Sequence, residues 1–557
     1  MKIFSKILPI TFCLFSFSSL AKTYDLEVKK QDVFITGKAV PSITVNGQIP
    51  APTLRFTEGE DVEIRVKNSM DESTSIHWHG ILLDGSMDGV PGLNGFNGID
   101  PHTTFTYKFK IRQAGTYWYH SHSNIQEQLG VYGSIVIEPK VVTEKVDRDY
   151  VIVLSDFTEE NPNTIINNLK IDSGYYNYNK RTIFTFFKDI KKNGFSATLS
   201  NYMSWGDMRM DPTDLADVTK YHFLTNGKTS DQNWTGIFKK GEKVKLRFIN
   251  ASAMTIYDVF IPGLKMKFVE ADGQPIKPFT ADEFRFGVAE TYDVIVEPKD
   301  DKTFSIIAQS IDRTGYARGT LALKEGMKGE IPKMRPRALL TMTDMKMDGM
   351  NHGDMAMGDD KNMEGMDHSA MGHDMGGMDM GEMSMGKGKS GWAEAGTPAG
   401  NKALSYSDLI SRHPQKDLRQ PTKEIEFRFG GTMNRYIWTI NGEKFPKPTH
   451  VKFGERVRLK FINDTMMAHP IHLHGMFMQM ESINSVALGV DGGQNMKWLP
   501  NKHTVIVPPA QTVSMLLTAD EAGEWAFHCH LLYHMANGMM TSVSVDKTTK
   551  SGGRDAN

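Results

Sequence analysis

From Val62 the chain reads Val-Glu-Ile-Arg-Val-Lys-Asn to residue 68, with apolar and charged side chains in strict alternation. Successive side chains of an extended strand point to opposite faces, so the pattern predicts a strand with one face in a core and the other in water. The phrase recurs twice. Asn46-Gly47 and Gly59-Glu60 precede the first copy, and Asn441-Gly442 and Gly454-Glu455 precede Val457-Arg458-Leu459-Lys460-Phe461-Ile462-Asn463 at identical spacing. Between them, Asn226-Gly227 leads, two residues looser, to Gly241-Glu242 and Val244-Lys245-Leu246-Arg247-Phe248-Ile249-Asn250. Asn-Gly and Gly-Glu are turn punctuation. Three copies of a half-buried strand unit in 557 residues predict an all-β protein of three β-sandwich domains.

The copies differ in one respect. Nine and eleven residues beyond the closing Asn stand His77 and His79 in the first copy and His472 and His474 in the third, but Val259 and Ile261 in the second. The sandwich therefore packs without the histidines, and their presence is chemistry rather than fold. A second phrase repeats in the outer copies only: Ala114-Gly115-Thr116-Tyr117-Trp118-Tyr119-His120-Ser121-His122 parallels Ala522-Gly523-Glu524-Trp525-Ala526-Phe527-His528-Cys529-His530. Each outer domain thus supplies two His-x-His strands, and the simplest arrangement sets the four face to face between the first and last domains.

Ten of the eighteen histidines fall in these clusters once His469, ahead of His472, and His534, behind His530, are counted. Imidazole suits several metals, but Cys529 with nearby histidines and the thioether of Met539 describes a trigonal His2Cys copper site with a weak axial Met, which moves single electrons. The paired histidines predict a multinuclear centre beside it. Net charge is −2 and no basic stripe interleaved with aromatics is present, which excludes nucleic acid as a partner. Lys2 and Lys6 precede an apolar run from Ile7 to Leu20 that ends Ser19-Leu20-Ala21, the form of an export signal cleaved after Ala21; the run is short for a membrane anchor. The mature protein is expected in the periplasm, with no stable membrane insertion. Cleavage removes Cys13 and leaves Cys529 alone, so no disulfide forms, and metal ligation shields the remaining thiol.

With these residues in view, the chain resembles the multicopper oxidases, from about Tyr24 to Val545, and within them the copper-resistance oxidases of the CopA/PcoA kind. Met87-Asp88-Gly89-Val90-Pro91, Gln126-Glu127-Gln128 and a Met-rich insert carry the closer likeness. The resemblance implies three cupredoxin-like Greek-key sandwiches: residues 22–142 and 143–330, then a flexible Met/His-rich insert and linker at 331–420, and residues 421–557. It implies four copper ions. Type 1 copper falls to His469, Cys529 and His534 with Met539 axial; type 2 to His77 and His472; the type 3 pair to His79, His120 and His530, and to His122, His474 and His528. Cys529 lies covalently between His528 and His530, a short route for electrons. Asp88 is the expected proton-relaying carboxylate. Some relatives place an acid directly after the last type 1 histidine, where this chain has Met535.

Between Met342 and Met385 lie fourteen methionines, three histidines and ten acidic residues, without helical or strand periodicity. Thioether sulfur selects Cu(I), so this tract, with Met366, His368, Met371, His373 and Met375 in its densest part, reads as a mobile copper collector. Asp464, Met466 and Met467, ahead of His469, approximate the substrate-binding Met and Asp of cuprous oxidases. The expected activity is oxidation of Cu(I) to Cu(II) with four-electron reduction of O2 to water, serving copper tolerance, with other periplasmic copper-handling proteins as further partners. Two alternatives stand beside it: a broad laccase acting on phenols, and a copper-storage or carrier protein without turnover. Residues 161–219 exceed what a plain sandwich needs and are expected to cap it. Residues 387–420 read as linker, with a short helix at 404–410. The absence of a twin-Arg signal predicts export unfolded, with copper loaded afterwards.

Overall fold

The alternating phrase forms the strand expected of it. In Asp61–Asn68 the side chains of Val62, Ile64 and Val66 are buried while Arg65 and Lys67 are exposed. The computed structural model describes residues 22–546 apart from 143, 179, 209, 343, 346–391, 393–395, 433–434 and 490–495. The export-signal reading and the collector residues Met366, His368, Met371, His373 and Met375 therefore lie outside the described residues.

Asp61–Asn68 pairs in parallel with Lys22–Val33 and antiparallel with Thr104–Lys110. This sheet packs on a second one ordered Ala51–Thr57, Tyr132–Glu138, Gly115–His120, His77–His79, sharing one core of Val62, Ile64, Trp78 and Ile135. The last sandwich repeats the plan. Its Arg456–Asn463 strand lies in one sheet, and in the other His469–Leu473 runs between Gly523–Cys529 and Thr504–Val507.

The middle sandwich departs from simple alternation. Its Val244–Asn250 strand buries Arg247, whose guanidinium donates to Asp149 at 2.7 Å and to Thr116 Oγ1 of the first domain at 3.0 Å and pairs with Asp293 at 3.2 Å. The polar face is covered by a neighbouring domain instead of water, and a charge taken out of water persists only when paired in this way. Val259 and Ile261, at the positions of the missing histidines, are buried core residues.

Domains two and three are locked by a second buried charge cluster. Lys502 Nζ lies 3.1 Å from Asp272 and 2.9 Å from Glu290, all without exposed side chain. Tyr406 donates to Glu290 at 2.7 Å and accepts from the Ile506 N–H at 2.9 Å. Tyr406 sits in the 404–410 stretch, which forms a single 3-10 turn, Tyr406–Asp408, rather than a longer helix. The excess sequence at 161–219 folds into three helices: α1 (Pro162–Ile171), α2 (Ile183–Asn193) and α3 (Phe195–Asp207). Asn161 caps α1, Pro162 opens it, and Ile165, Ile166 and Leu169 dock its apolar side. Among the described residues no helix is long and apolar enough to cross a membrane.

Candidate metal centre

Four short strands bring the histidines together. In the first domain His77 pairs across from His120 and His79 from Trp118; in the last, His472 pairs with His528 and Ile471 with Cys529. The two pairs meet face to face across the domain boundary. His77 stacks on His474 and His79 on His472, each with ring centroids 3.8 Å apart. Ligand atoms of His79, His120 and His530 lie within 4.8 Å of one another, as do those of His122, His474 and His528, and those of His77, His472 and His474. All are buried except His122, which reaches a cleft of about 1270 Å3 lined also by Gln126, Asn161, Phe445, Met535 and Asn537. That cleft brings solvent to the edge of the cluster at His122.

Hydrogen bonding fixes which nitrogen faces inward in most of these rings. A neutral imidazole has one N–H and one lone pair, and the partner of one nitrogen decides the role of the other. His77 Nδ1 donates to the Asp88 carbonyl at 2.8 Å, His472 Nδ1 to the His503 carbonyl at 2.8 Å, His474 Nδ1 to the Asp88 carboxylate at 2.9 Å and His528 Nδ1 to the Cys529 carbonyl at 3.0 Å. His120 Nδ1 lies 2.7 Å from the buried carboxylate of Glu127. The inner Nε2 atoms of His77, His120, His472 and His530, and both nitrogens of His79, are buried with no hydrogen-bond partner. His474 Nε2 and His528 Nε2 stand 3.1 Å apart, lone pair toward lone pair. Such convergence repels in an empty fold and attracts around a cation, so the donor set fits bound metal.

The same logic holds at the third cluster. His534, on α4 (Leu532–Ala536), donates from Nε2 to Asp217 at 2.7 Å, and His469 Nε2 lies 2.7 Å from Thr465 Oγ1. The Thr465 hydroxyl has its own acceptors, Asn463 Oδ1 at 2.8 Å and the Met467 carbonyl at 3.1 Å, so its oxygen takes the His469 proton. The two Nδ1 lone pairs thus face each other at 3.2 Å, with Cys529 Sγ 3.6 and 3.7 Å away. Met539 is buried beside them, its N–H donating to the His534 carbonyl and its carbonyl accepting from the Cys529 N–H. Burial pushes the Cys529 thiol well up, so a thiolate here needs a cation against it.

Asp88 is brought to the cluster by its turn. Gly89 adopts φ +81°, and a Cβ there would collide with the Ile76 carbonyl, so only glycine lets the Asp88 turn close against His77. Met466 and Met467 are buried ahead of His469, whereas Asp464 is exposed and pairs with Arg428 at 2.8 Å. Three residues that pattern reading did not single out as functional adjoin the centre. Glu127 lay inside the quoted Gln126-Glu127-Gln128, but nothing in a linear reading aims it at His120. Asp217 is 317 residues from its partner His534. His503 is a lone histidine without a His-x-His companion, yet its ligand atom lies within 4.8 Å of those of His79 and His472.

Burial, helped by neighbouring imidazoles, holds His79, His120, His472, His474 and His530 well below the usual histidine range. Unfolded histidines titrate near 6.5. The unfolded chain therefore binds more protons than the fold once pH drops through about 6.5, and stability present above that value is lost progressively below it. Copper-free protein is expected to show a thermal midpoint that falls steeply from pH 6.5 downward. The copper-loaded form, in which protons must displace metal, is expected to hold its midpoint to lower pH. Parallel midpoint curves for the two forms would show that these nitrogens are not the metal donors.

Three family models, each described as multicopper oxidase, match the chain over residues 27–141, 148–326 and 418–549. Copper resistance protein A of Escherichia coli is 46% identical, over 94% of this chain and 92% of that protein. The copper resistance protein A homolog of Pseudomonas syringae pv. tomato is 47% identical over the same shares. Among solved structures, Fet3p, a multicopper oxidase that functions in iron import, superposes with a TM-score of 0.66 at 18% identity, over 95% of this chain and 91% of that one. The laccase from Botrytis aclada gives 0.65 at 20% identity, over 95% and 88%.

Proposed function

The chain belongs to the multicopper oxidase family, and we propose that its electron donor is Cu(I), oxidised to Cu(II) in the periplasm while O2 is reduced to water. Copper, four ions in this family, supplies one-electron acceptance at a thiolate site and four-electron reduction of O2 at a trinuclear site. We assign the thiolate site to His469, Cys529, His534 and Met539. To the remaining histidines we give the division that the family resemblance implies: His77 and His472 would hold the type 2 ion, His79, His120 and His530 one type 3 ion, and His122, His474 and His528 the other.

The observation that carries the donor assignment is the Asp217 contact with His534. His534 is wholly buried, with Trp438 stacked on its ring at 3.7 Å, so a bulky phenol has no face to approach. Its outer nitrogen ends on a carboxylate, which attracts a cation. Asp217 closes a stretch, Met208 to Asp217, that also holds Met210, Asp211 and Asp214, soft sulfur and carboxylate together. Burial raises the Asp217 carboxyl to about 7, offset in part by the Tyr436 hydroxyl, which donates to it at 2.9 Å. The relatives named copper resistance protein A, and the Met-rich tract, support the same donor.

The chain's own residues account for the remaining tasks. Cys529 is joined through the backbone to His528 and His530, which would give electrons from the thiolate site a covalent path to the cluster histidines. Asp88 orients His77 and His474 and stands ready to move a proton at its carboxylate. Glu127, whose carboxyl burial keeps well above the usual range, holds His120. Oxygen uptake by copper-loaded protein tests the donor: Cu(I) is expected to drive it faster than a phenol. Asp217→Asn is expected to slow the Cu(I) reaction by roughly 3- to 10-fold, below the usual range for partners of metal-binding histidines because the amide still accepts from His534. Faster uptake with phenol, or equal slowing of both substrates, would replace this reading with that of a laccase.

A further inference from the structure

α2 has no buried residue. It is held to the protein through α3: Phe186 packs edge-on against Tyr202 with centroids 5.0 Å apart, and the Tyr202 hydroxyl donates to Asp189 at 3.0 Å. α3 in turn buries Trp205. The outward side of this hairpin is aromatic. Phe184 is 82% exposed, Ile183 and Phe187 each 62%, and Phe195 at the start of α3 60%. Residues four apart are neighbours on a helix, so Lys188 stands beside Phe184 and Lys191 beside Phe187, with Lys192 next to them, all exposed. The one acidic residue of α2, Asp189, is the one Tyr202 engages, and residues 180–193 are strongly basic in a chain whose net charge is −2.

We propose that α2 docks this protein on an anionic lipid surface, with Phe184 and Phe187 entering the headgroup boundary and Lys188, Lys191 and Lys192 meeting the lipid phosphates. Exposed aromatics in a contiguous patch mark an interaction face. The lysines select lipid over protein: protein interfaces deplete lysine, whereas a helix lying in a bilayer surface mixes lysine with phenylalanine and lets the long lysine stems reach out to the phosphates. This is peripheral attachment, compatible with the absence of any membrane-crossing helix among the described residues. It requires no assumption about the electron donor.

The test uses copper-loaded full chain and vesicles of phosphatidylcholine with or without phosphatidylglycerol. Wild-type protein is expected to sediment with the anionic vesicles, less so as salt rises, and to stay in solution with phosphatidylcholine alone. Lys188→Gln, Lys191→Gln and Lys192→Gln are each expected to weaken binding about fivefold, the equivalent of ~1 kcal/mol per charge near an anionic surface. Phe184→Ser with Phe187→Ser is expected to abolish binding. All these positions are exposed and none is a ligand of the metal centre, so an unchanged blue absorption certifies each variant as folded. No sedimentation of wild type, or sedimentation indifferent to both sets of variants, overturns the proposal. So does a wild-type dimer that the Phe variants convert to monomer, which makes the face a contact between copies.

Discussion

Cys529→Ser is expected to abolish the blue absorption and all oxygen uptake while leaving the rest of the copper complement in place. Cys529 Sγ converges with two imidazole nitrogens in a fully buried pocket, and it is the sole cysteine among the described residues. A serine oxygen is shorter, hard and unionised there, so it offers neither the thiolate-to-metal transition that gives colour nor a one-electron acceptor of suitable potential. The backbone of residue 529 still carries the contacts that order its neighbours: its N–H to the Met539 carbonyl and its carbonyl from His528 Nδ1. His528 and His530 therefore remain aimed at their partners, and three of four coppers are expected by metal analysis, with the type 2 paramagnetic signal retained. Oxygen uptake in this variant at more than background would mean that electrons enter the cluster by another route.

The second large effect is expected at Asp88. Its carbonyl holds His77 and its carboxylate holds His474, so one residue orients imidazoles from both outer domains. Asp88→Ala keeps the carbonyl and frees His474 Nδ1; removing such a partner typically costs about 10- to 100-fold in metal affinity or activity. Asp88→Asn separates two roles. Its amide oxygen still accepts from His474, preserving copper content, but an amide neither takes up nor releases a proton near neutral pH. Full copper with activity reduced by about 10-fold or more in Asp88→Asn assigns Asp88 to proton movement. Full activity in that variant leaves it a positioning residue only, and full activity in Asp88→Ala removes it from the mechanism.

The parts that were legible in the sequence were those written as local repeats. Period-two alternation marks the strands, and the comparison of Val259 and Ile261 with their histidine counterparts separates ligand from scaffold on sequence alone. What escaped was set by contacts across domains. Arg247 reads as a solvent-facing residue on a half-buried strand, yet Thr116 of the first domain covers it. Asp217, Glu127 and His503 are single polar residues without a repeating phrase, and only the fold brings them beside His534, His120 and His472. The helices of 161–219 hide in a stretch whose polar and apolar residues serve an outer surface rather than a core. Its capping signals, Asn161-Pro162 and Thr182, are visible in the sequence once the helices are known.

The metal centre joins residues as far apart as Asp88 and His474, 386 positions along the chain. Every copper-holding set assigned to the cluster draws on both the first and the last sandwich. A polypeptide that lacks either outer sandwich thus has only half-sites of the cluster, although the thiolate set lies whole within the last sandwich, and the middle sandwich offers none. Assembly of the oxygen-reducing cluster is all-or-nothing: a fragment that lacks either outer sandwich cannot complete any of its three ligand sets. The placement of the ligands at the two ends of the fold acts as a completeness check, met only when the whole chain has been made and folded.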